Sequence, residues 1–140
     1  MSVLYRIQAT AVGGREGNVK SSDGFLNLNL GMPKELGGPG KPAANPEMLF
    51  AAGYAACFES AMRFVAREKK IAITSASVTA DVGIGPRDDG GFALDIALTA
   101  EVGGLDQAAA EQLVAAAHHV CPYSHATKGS LNVRLTTKVV

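Results

Sequence analysis

The chain has 140 residues, and its 13 basic and 13 acidic side chains cancel to zero formal net charge. With no long basic run, charge gives no sign of a nucleic-acid or anionic-membrane partner. At 47% apolar and 19% charged residues, the composition is globular rather than disordered, and the length suits a single domain over residues 1–140 with a core of useful size.

The opening "MSVLYRIQAT" lacks the basic start, apolar core and cleavage site of a signal peptide. No apolar run reaches membrane-spanning length. The expected location is cytoplasmic, where a permanent disulfide would be unusual. Residues 3–12 read as a strand, and "GGREGN" as a tight turn. "FLNLNL" alternates Leu26, Leu28 and Leu30 against asparagines, the pattern of a half-buried strand. "GMPKELGGPGKPAA" is a long glycine- and proline-rich loop, a length at which loops are often functional.

Asn45 and Pro46 have the N-cap and first-position chemistry of a helix running to about residue 68. It is apolar on nearly every side until Glu59, so it must be covered by something, and a second copy of the chain would serve. Gly53 is either a break or a point of close packing. "REKK" at 67–70 places positive charge at the helix end, which suits the helix dipole. "ASVTADVGIG" and "FALDIALTAE" form an antiparallel hairpin about "PRDDGG". Val78, Ala80, Val82 and Ile84 share one face, and Phe92, Leu94, Ile96 and Leu98 face inward on the returning strand. Asp106 caps a second helix with Leu105, Leu113, Ala116, Ala117 and Val120 along its apolar side. Pro122 ends or kinks it. "GSLNVRLTTKVV" closes the chain as a strand, giving an α+β fold of antiparallel sheet and two main helices.

Cys57, in "GYAACFESAMRF", and Cys121, in "HHVCPYSHATKG", are the two cysteines. The pair is open to four readings: a staple, unrelated core thiols, half a metal site, or a reactive pair. The spacing does not resemble a zinc site, because His118 and His119 point in different directions on a helix and His125 has no compact companion group. A reactive pair has chemical logic, since sulfur attacks peroxide only as the thiolate and a free cysteine is mostly thiol near neutrality. Cys57 lies too far inside its helix for the N-terminal field, so an arginine is the natural stabiliser. Arg15 is one candidate, and an ordinary solvated turn arginine is the alternative. Glu47 suits the first helical turn in any case and is also placed to orient an arginine by a forked contact. On a straight helix Glu47 lies about 15 Å along the axis from Cys57. It therefore acts on the sulfur only through a reaching arginine, a bend near Gly53, or a neighbouring chain.

The stretches "TAVGGREGNVKSSDG", "PKELGGPG", "NPEMLFAAGYAACFESAMRFV", "SVTADVGIG" and "GLDQAAAEQLVAAAHHVCPYSHATKGSLNVRL" occur in this order and cover nearly the whole chain. Together they closely resemble the organic hydroperoxide resistance (Ohr) family of the OsmC/Ohr superfamily, and "NPE…AAGYAACF" with "HHVCPYS" points to the Ohr branch. The resemblance implies an intertwined homodimer, with antiparallel sheets wrapped around long central helices. It implies a thiol peroxidase that reduces organic hydroperoxides to alcohols. The family's attacking cysteine falls on Cys57, its resolving cysteine on Cys121, its catalytic arginine on Arg15 and the paired carboxylate on Glu47. No bound cofactor or metal is implied. The implied external reductant is dihydrolipoamide or a lipoylated protein. Where the family usually has asparagine, this chain has His125.

Among the apolar residues that offer a groove for an alkyl tail are Met32, Leu36, Met48 and Tyr123. Phe50, Phe58 and Phe64 offer such area too, with a place in the core the stronger expectation for each. The competing function is a non-catalytic lipid or small-molecule binding dimer with passive thiols.

Overall fold

The computed structural model describes residues 1–130 and 132–140. It divides into two compact units, Met1–Leu49 and Phe50–Val140. In the first unit, β1 (Ala9–Val12), β2 (Asn18–Ser21) and β3 (Asn27–Asn29) form an antiparallel sheet in that order. The expected strand over 3–12 is shorter at its start, because its partner ends at Ser21 and the chain turns away toward β3. Leu30 is buried as the leucine alternation predicts, but Leu26 is exposed. The β1–β2 turn is a short 3₁₀ segment, Gly14–Glu16, flanked by Gly13 at φ 83° and Gly17. A Cβ at Gly17 would overlap the carbonyl oxygen of Val12, so the turn closes only around a bare backbone.

Helix α1 is a continuous run, Pro46–Glu68. Asn45 caps it, its side-chain oxygen accepting from the Met48 amide at 2.8 Å. Gly53 does not break the helix. It is a close-packing point, since a Cβ there would lie 2.7 Å from the Tyr123 hydroxyl. Tyr54, Phe58, Ala61, Met62, Val65 and Ala66 are the buried stripe of α1, the helical spacing of an amphipathic face rather than burial all round. The opposite face leaves Ala52, Ala56 and Ser60 exposed, with Phe64 46% exposed.

In the second unit, β4 (Ser75–Pro86) and β5 (Phe92–Gly103) pair antiparallel along their whole length. Val78, Ala80, Val82 and Ile84 are the half-buried positions of β4, as their alternation predicts. Ile96 and Leu98 are buried on β5, but Phe92 is 66% exposed, because it sits beside the hairpin turn at the far end from the buried segment. Helix α2 (Gln107–Val120) and helix α3 (Pro122–Thr127) follow, and β6 (Arg134–Val139) returns to β5. The pairing of β5 with β6 is parallel. This corrects the all-antiparallel expectation: the helical segment between the two strands is a crossover, which brings the chain back to enter the sheet in the same direction. Leu131, within the stretch assigned to the last strand, lies outside the described residues.

The core of this unit is built from three elements. Tyr54, Phe58 and Met62 come from α1, Ile96, Leu98 and Val102 from β5, and Leu113, Val114 and Cys121 from α2 and its end, all almost wholly buried. Each large side chain so buried contributes roughly 1.5–3 kcal/mol. The buried stripe of α2 runs Ala110, Leu113, Val114, Ala117. Val120, expected on that face, is 42% exposed.

Asp106 accepts the Ala109 amide at 2.8 Å and thereby caps α2. Replacing it with alanine is expected to cost about 1 kcal/mol, read as a lower urea midpoint with an unchanged slope.

Candidate active site

The structure brings the four sequence-predicted residues together in two pairs. In the first unit, the 3₁₀ turn presents Arg15 to Glu47 in the first turn of α1. Arg15 Nη1 donates to Glu47 Oε2 at 2.8 Å and Nη2 to Oε1 at 2.6 Å, a two-pronged fork. Both side chains are largely sheltered, at 27% and 14% exposure. The Arg15 hydrogen bond holds the Glu47 carboxyl below the usual carboxylate range against the opposing effect of burial, and the same bond raises the guanidinium. The carboxylate locks the orientation of the arginine and remains charged throughout the neutral range.

In the second unit, α1 carries Cys57 on the border between its buried and exposed faces. Cys121 lies at the corner where α2 ends and α3 begins. Its amide still bonds back to Ala117 at 2.8 Å, and Pro122 at the first position of α3 stops α2 from continuing. The corner turns the Cys121 sulfur toward α1, where it stands 3.6 Å from that of Cys57. Both are free thiols, Cys121 buried and Cys57 partly open. A disulfide needs about 2.05 Å, so the sulfurs are poised at contact with a short closure remaining.

Burial pushes the Cys57 thiol up from its ordinary value. A backbone hydrogen bond from Tyr123 works in the opposite direction, and the neighbouring Cys121 thiol adds to the rise, since two negative sulfurs cannot share the site cheaply. Nothing within this pair supplies the positive charge that a standing thiolate requires.

Cys57 opens on a cavity of about 350 Å³ lined by Ser60, Ala61, Phe64, Val120 and Pro122. Phe64 was expected in the core and is instead a cavity wall, half exposed. Phe58 is fully buried, and Phe50 packs edge-on against the rings of Tyr54 and Tyr123. Pro122 was expected beside Cys121, but Val120 and the Tyr123 amide were not anticipated from sequence as parts of the site, although both lie within two residues of Cys121. Among the described residues no group of three His, Cys, Asp or Glu side chains is arranged to hold a metal, and no helix is long and apolar enough to cross a membrane.

The OsmC-like protein family matches residues 38–136, a span that includes both cysteines and Glu47. The chain belongs to the OsmC/Ohr family. An organic hydroperoxide resistance protein of Xanthomonas axonopodis pv. citri is 50% identical over 135 residues, 96% of this chain and 94% of that one. A crystal structure of an organic hydroperoxide resistance protein from Legionella pneumophila superposes with a TM-score of 0.96 at 52% identity, covering 99% of this chain and 100% of the other. Another, from Vibrio cholerae, holds a molecule of captopril in one of its active sites. It shares 53% identity and a TM-score of 0.93, covering 98% of this chain and 94% of that one. Family membership and the two facing thiols together make the chain a thiol-dependent peroxidase with a redox-active cysteine pair.

The difference in exposure predicts an order of labelling. Brief treatment of the native, reduced OsmC/Ohr-family chain with iodoacetamide is expected to modify Cys57 well before Cys121, as peptide mass spectrometry would show. Equal labelling would contradict the burial of the second thiol.

Proposed function

We propose that the chain reduces organic hydroperoxides to alcohols, with Cys57 as the attacking sulfur and Cys121 as the resolving one. The observation that carries this is the 3.6 Å approach of two free thiols beside an apolar cavity. Similarity to organic hydroperoxide resistance proteins supports the substrate class. The Cys57 thiolate attacks the distal peroxide oxygen. The O–O bond breaks, the sulfur becomes sulfenic acid, and the alkoxide takes a proton to leave as the alcohol. The Cys121 thiol then attacks the sulfenic sulfur. The S–S bond forms, the S–O bond breaks, and the hydroxide leaves with the thiol proton as water. An external dithiol reopens the bridge by exchange. Dihydrolipoamide, free or on a lipoylated protein, is the proposed reductant, by family resemblance.

Arg15 is proposed to hold Cys57 as the thiolate and to bear charge developing on the peroxide oxygens, with Glu47 fixing its orientation. This supplies the positive charge that the buried sulfur pair lacks. α1 is unbroken, which removes a bend at Gly53 as a route from Glu47 to Cys57. Ten helical residues separate them by about 15 Å along the axis. The pair therefore acts on Cys57 through the length of the arginine or from a second copy of the chain.

A homodimer is also proposed. The exposed small-residue face of α1, with Phe64, and the exposed Val12 and Phe25 of the first unit are apolar surfaces that a second copy would cover. The cavity lining offers roughly 0.8 kcal/mol for each methylene of an alkyl tail buried there. Hydrogen peroxide gains nothing from it, which sets the preference for organic substrates. A passive-thiol binding module would equally use the apolar cavity, but gives no reason for two sulfurs in contact.

Rapid mixing with tert-butyl hydroperoxide tests the assignment. Cys57→Ser is expected to abolish peroxide consumption. Cys121→Ser is expected to consume one equivalent and then stop, with no dihydrolipoamide-driven turnover. Full turnover by Cys57→Ser would sink the assignment.

The charge arrangement makes a separate prediction. Burial raises the Cys57 thiol, so the rate of the first step rises with pH as the thiolate forms. Arg15→Ala is expected to move that rate–pH curve to higher pH, and Glu47→Gln to move it the same way by less. The Glu47 carboxyl sits below its ordinary range, so the ion pair's contribution is full above the ordinary carboxylate value and is lost only as pH falls through the lowered one. Between pH 6 and 8 the curve of the parent protein therefore reports the thiol alone. Superimposable curves for parent and Arg15→Ala would remove the arginine from this role.

A further inference from the structure

Three buried or half-buried side chains that take no part in the steps above form one hydrogen-bonded line beside the cysteines. The Tyr54 hydroxyl lies 2.8 Å from Ser124 Oγ, and Ser124 Oγ lies 2.9 Å from His118 Nδ1. Tyr54 is 0% exposed and Ser124 4% exposed. Their sequence positions are regular. Tyr54 lies one helical turn before Cys57 on α1. His118 lies three residues before Cys121 in the last turn of α2, and Ser124 lies three after it in the first turn of α3. We propose that Ser124, held between Tyr54 and His118, is a positioning residue for the second half-reaction: it fixes the α2–α3 corner against α1 so that the Cys121 thiol meets the Cys57 sulfenic acid. The inference rests on the Cys57–Cys121 chemistry proposed above.

The donor count gives the line a direction. Each hydroxyl has one hydrogen to give, and Tyr54 has no other partner among the described hydrogen bonds. If His118 donated from Nδ1, three hydrogens would compete for two hydrogen bonds, and either the Ser124 or the Tyr54 hydrogen would be left without an acceptor among the described hydrogen bonds. That costs about 1–3 kcal/mol. The order that places every hydrogen runs from Tyr54 to Ser124 to His118, with a neutral imidazole accepting at Nδ1. His118 is only partly buried and, with Ser124, lines a cavity of about 440 Å³.

The line does what the backbone at the corner does not. Cys121 has a backbone bond on each side, to Ala117 at 2.8 Å and from His125 at 3.0 Å. These belong to α2 and α3 respectively, and neither fixes the angle between the two helices or ties the corner to α1. The Ser124 hydroxyl does both, through His118 on α2 and Tyr54 on α1. Closure from 3.6 Å to a bond is an intramolecular step, and its rate depends on how often the thiol occupies the attacking position. A corner free to rock lowers that occupancy. The first half-reaction draws on the corner only through the cavity wall at Val120 and Pro122 and the Tyr123 amide, and forms no bond at Cys121.

The test separates the two steps. Reduced parent protein, Ser124→Ala, Ser124→Thr and Tyr54→Phe are each mixed with one equivalent of tert-butyl hydroperoxide and quenched at intervals. Mass spectrometry then counts Cys57 sulfenic acid as its dimedone adduct, Cys57 sulfinic acid and the Cys57–Cys121 disulfide. In Ser124→Ala disulfide closure is expected to slow about tenfold, the worth of one buried hydrogen bond, while the appearance of oxidised Cys57 slows far less. The longer-lived sulfenic acid is then expected to pass to sulfinic acid under excess peroxide. Ser124→Thr keeps the hydroxyl and is expected to restore closure, and Tyr54→Phe to fall between parent and Ser124→Ala. Closure in Ser124→Ala as fast as in the parent overturns the proposal. So does an equal slowing of both steps, or a threonine variant no better than alanine. A parent protein that forms no Cys57–Cys121 disulfide overturns the parent reading and this one with it.

Discussion

The contact between two sulfurs carried by different helices is the constraint around which the second unit is arranged. α1 presents Cys57 from a continuous helix, and Cys121 reaches it only because α2 stops one residue earlier. Pro122 enforces that stop, and the Cys121 backbone turns to an extended conformation at φ −66°, ψ 122°. Had α2 continued by another turn, residue 121 would have kept helical geometry, with its side chain placed by the α2 face rather than by the corner. The buried stripe of α1, packed on β5 and α2, holds the two carriers at fixed distance. The same packing creates the chemical difficulty of the site: the burial that brings the sulfurs together also disfavours the ionised form of Cys57, the proposed attacker.

In the proposed role of Arg15, an arginine answers that difficulty better than a lysine would, and a carboxylate partner does not defeat the purpose. A guanidinium has five N–H donors. The fork to Glu47 uses one hydrogen on each terminal nitrogen, leaving three donors for a sulfur or a peroxide oxygen. Glu47 thus fixes the plane of the group while the remaining edge stays free. A lysine bound by the same carboxylate would be a point charge with no fixed second edge. The turn that bears Arg15 is closed around Gly17, where no side chain fits, so position and orientation are set by separate parts of the chain.

Much of this was legible in the sequence because it rests on local chemistry. Asn45 with Pro46 located the start of α1 to the residue, Asp106 that of α2, and Pro122 its end. Each is a cap or a breaker acting on its own few neighbours. Period-two alternation found β4 and β5 for the same reason. What eluded the sequence depends on residues far apart in the chain. The parallel entry of β6 is decided by a crossover rather than by any pattern within the strand. Phe64 and Phe58 are both phenylalanines on one helix, yet one is a cavity wall and the other wholly buried in the core cluster, a difference set by what packs around each of them. The line from Tyr54 through Ser124 to His118 joins residues up to 70 apart in sequence, and nothing in the type of any one of them announces it. For Arg15, Glu47 and the cysteines, residue chemistry alone left several readings open, and family resemblance narrowed them.

His125 shows why a departure from the family pattern need not disturb the site. Its tie to the chemistry is its backbone amide, which donates to the Cys121 carbonyl at 3.0 Å, a bond that any residue except proline makes. Its side chain lines the same cavity as His118 and not the apolar cavity of Cys57. The difference in solvent access between the sulfurs does not depend on the identity of residue 125. Cys57 is partly open and Cys121 buried, which suits the proposal that the first attack falls to the former and the closing step to the latter. In the proposed sequence, burial of the second thiol also shields it from oxidation in its own right before the closing step.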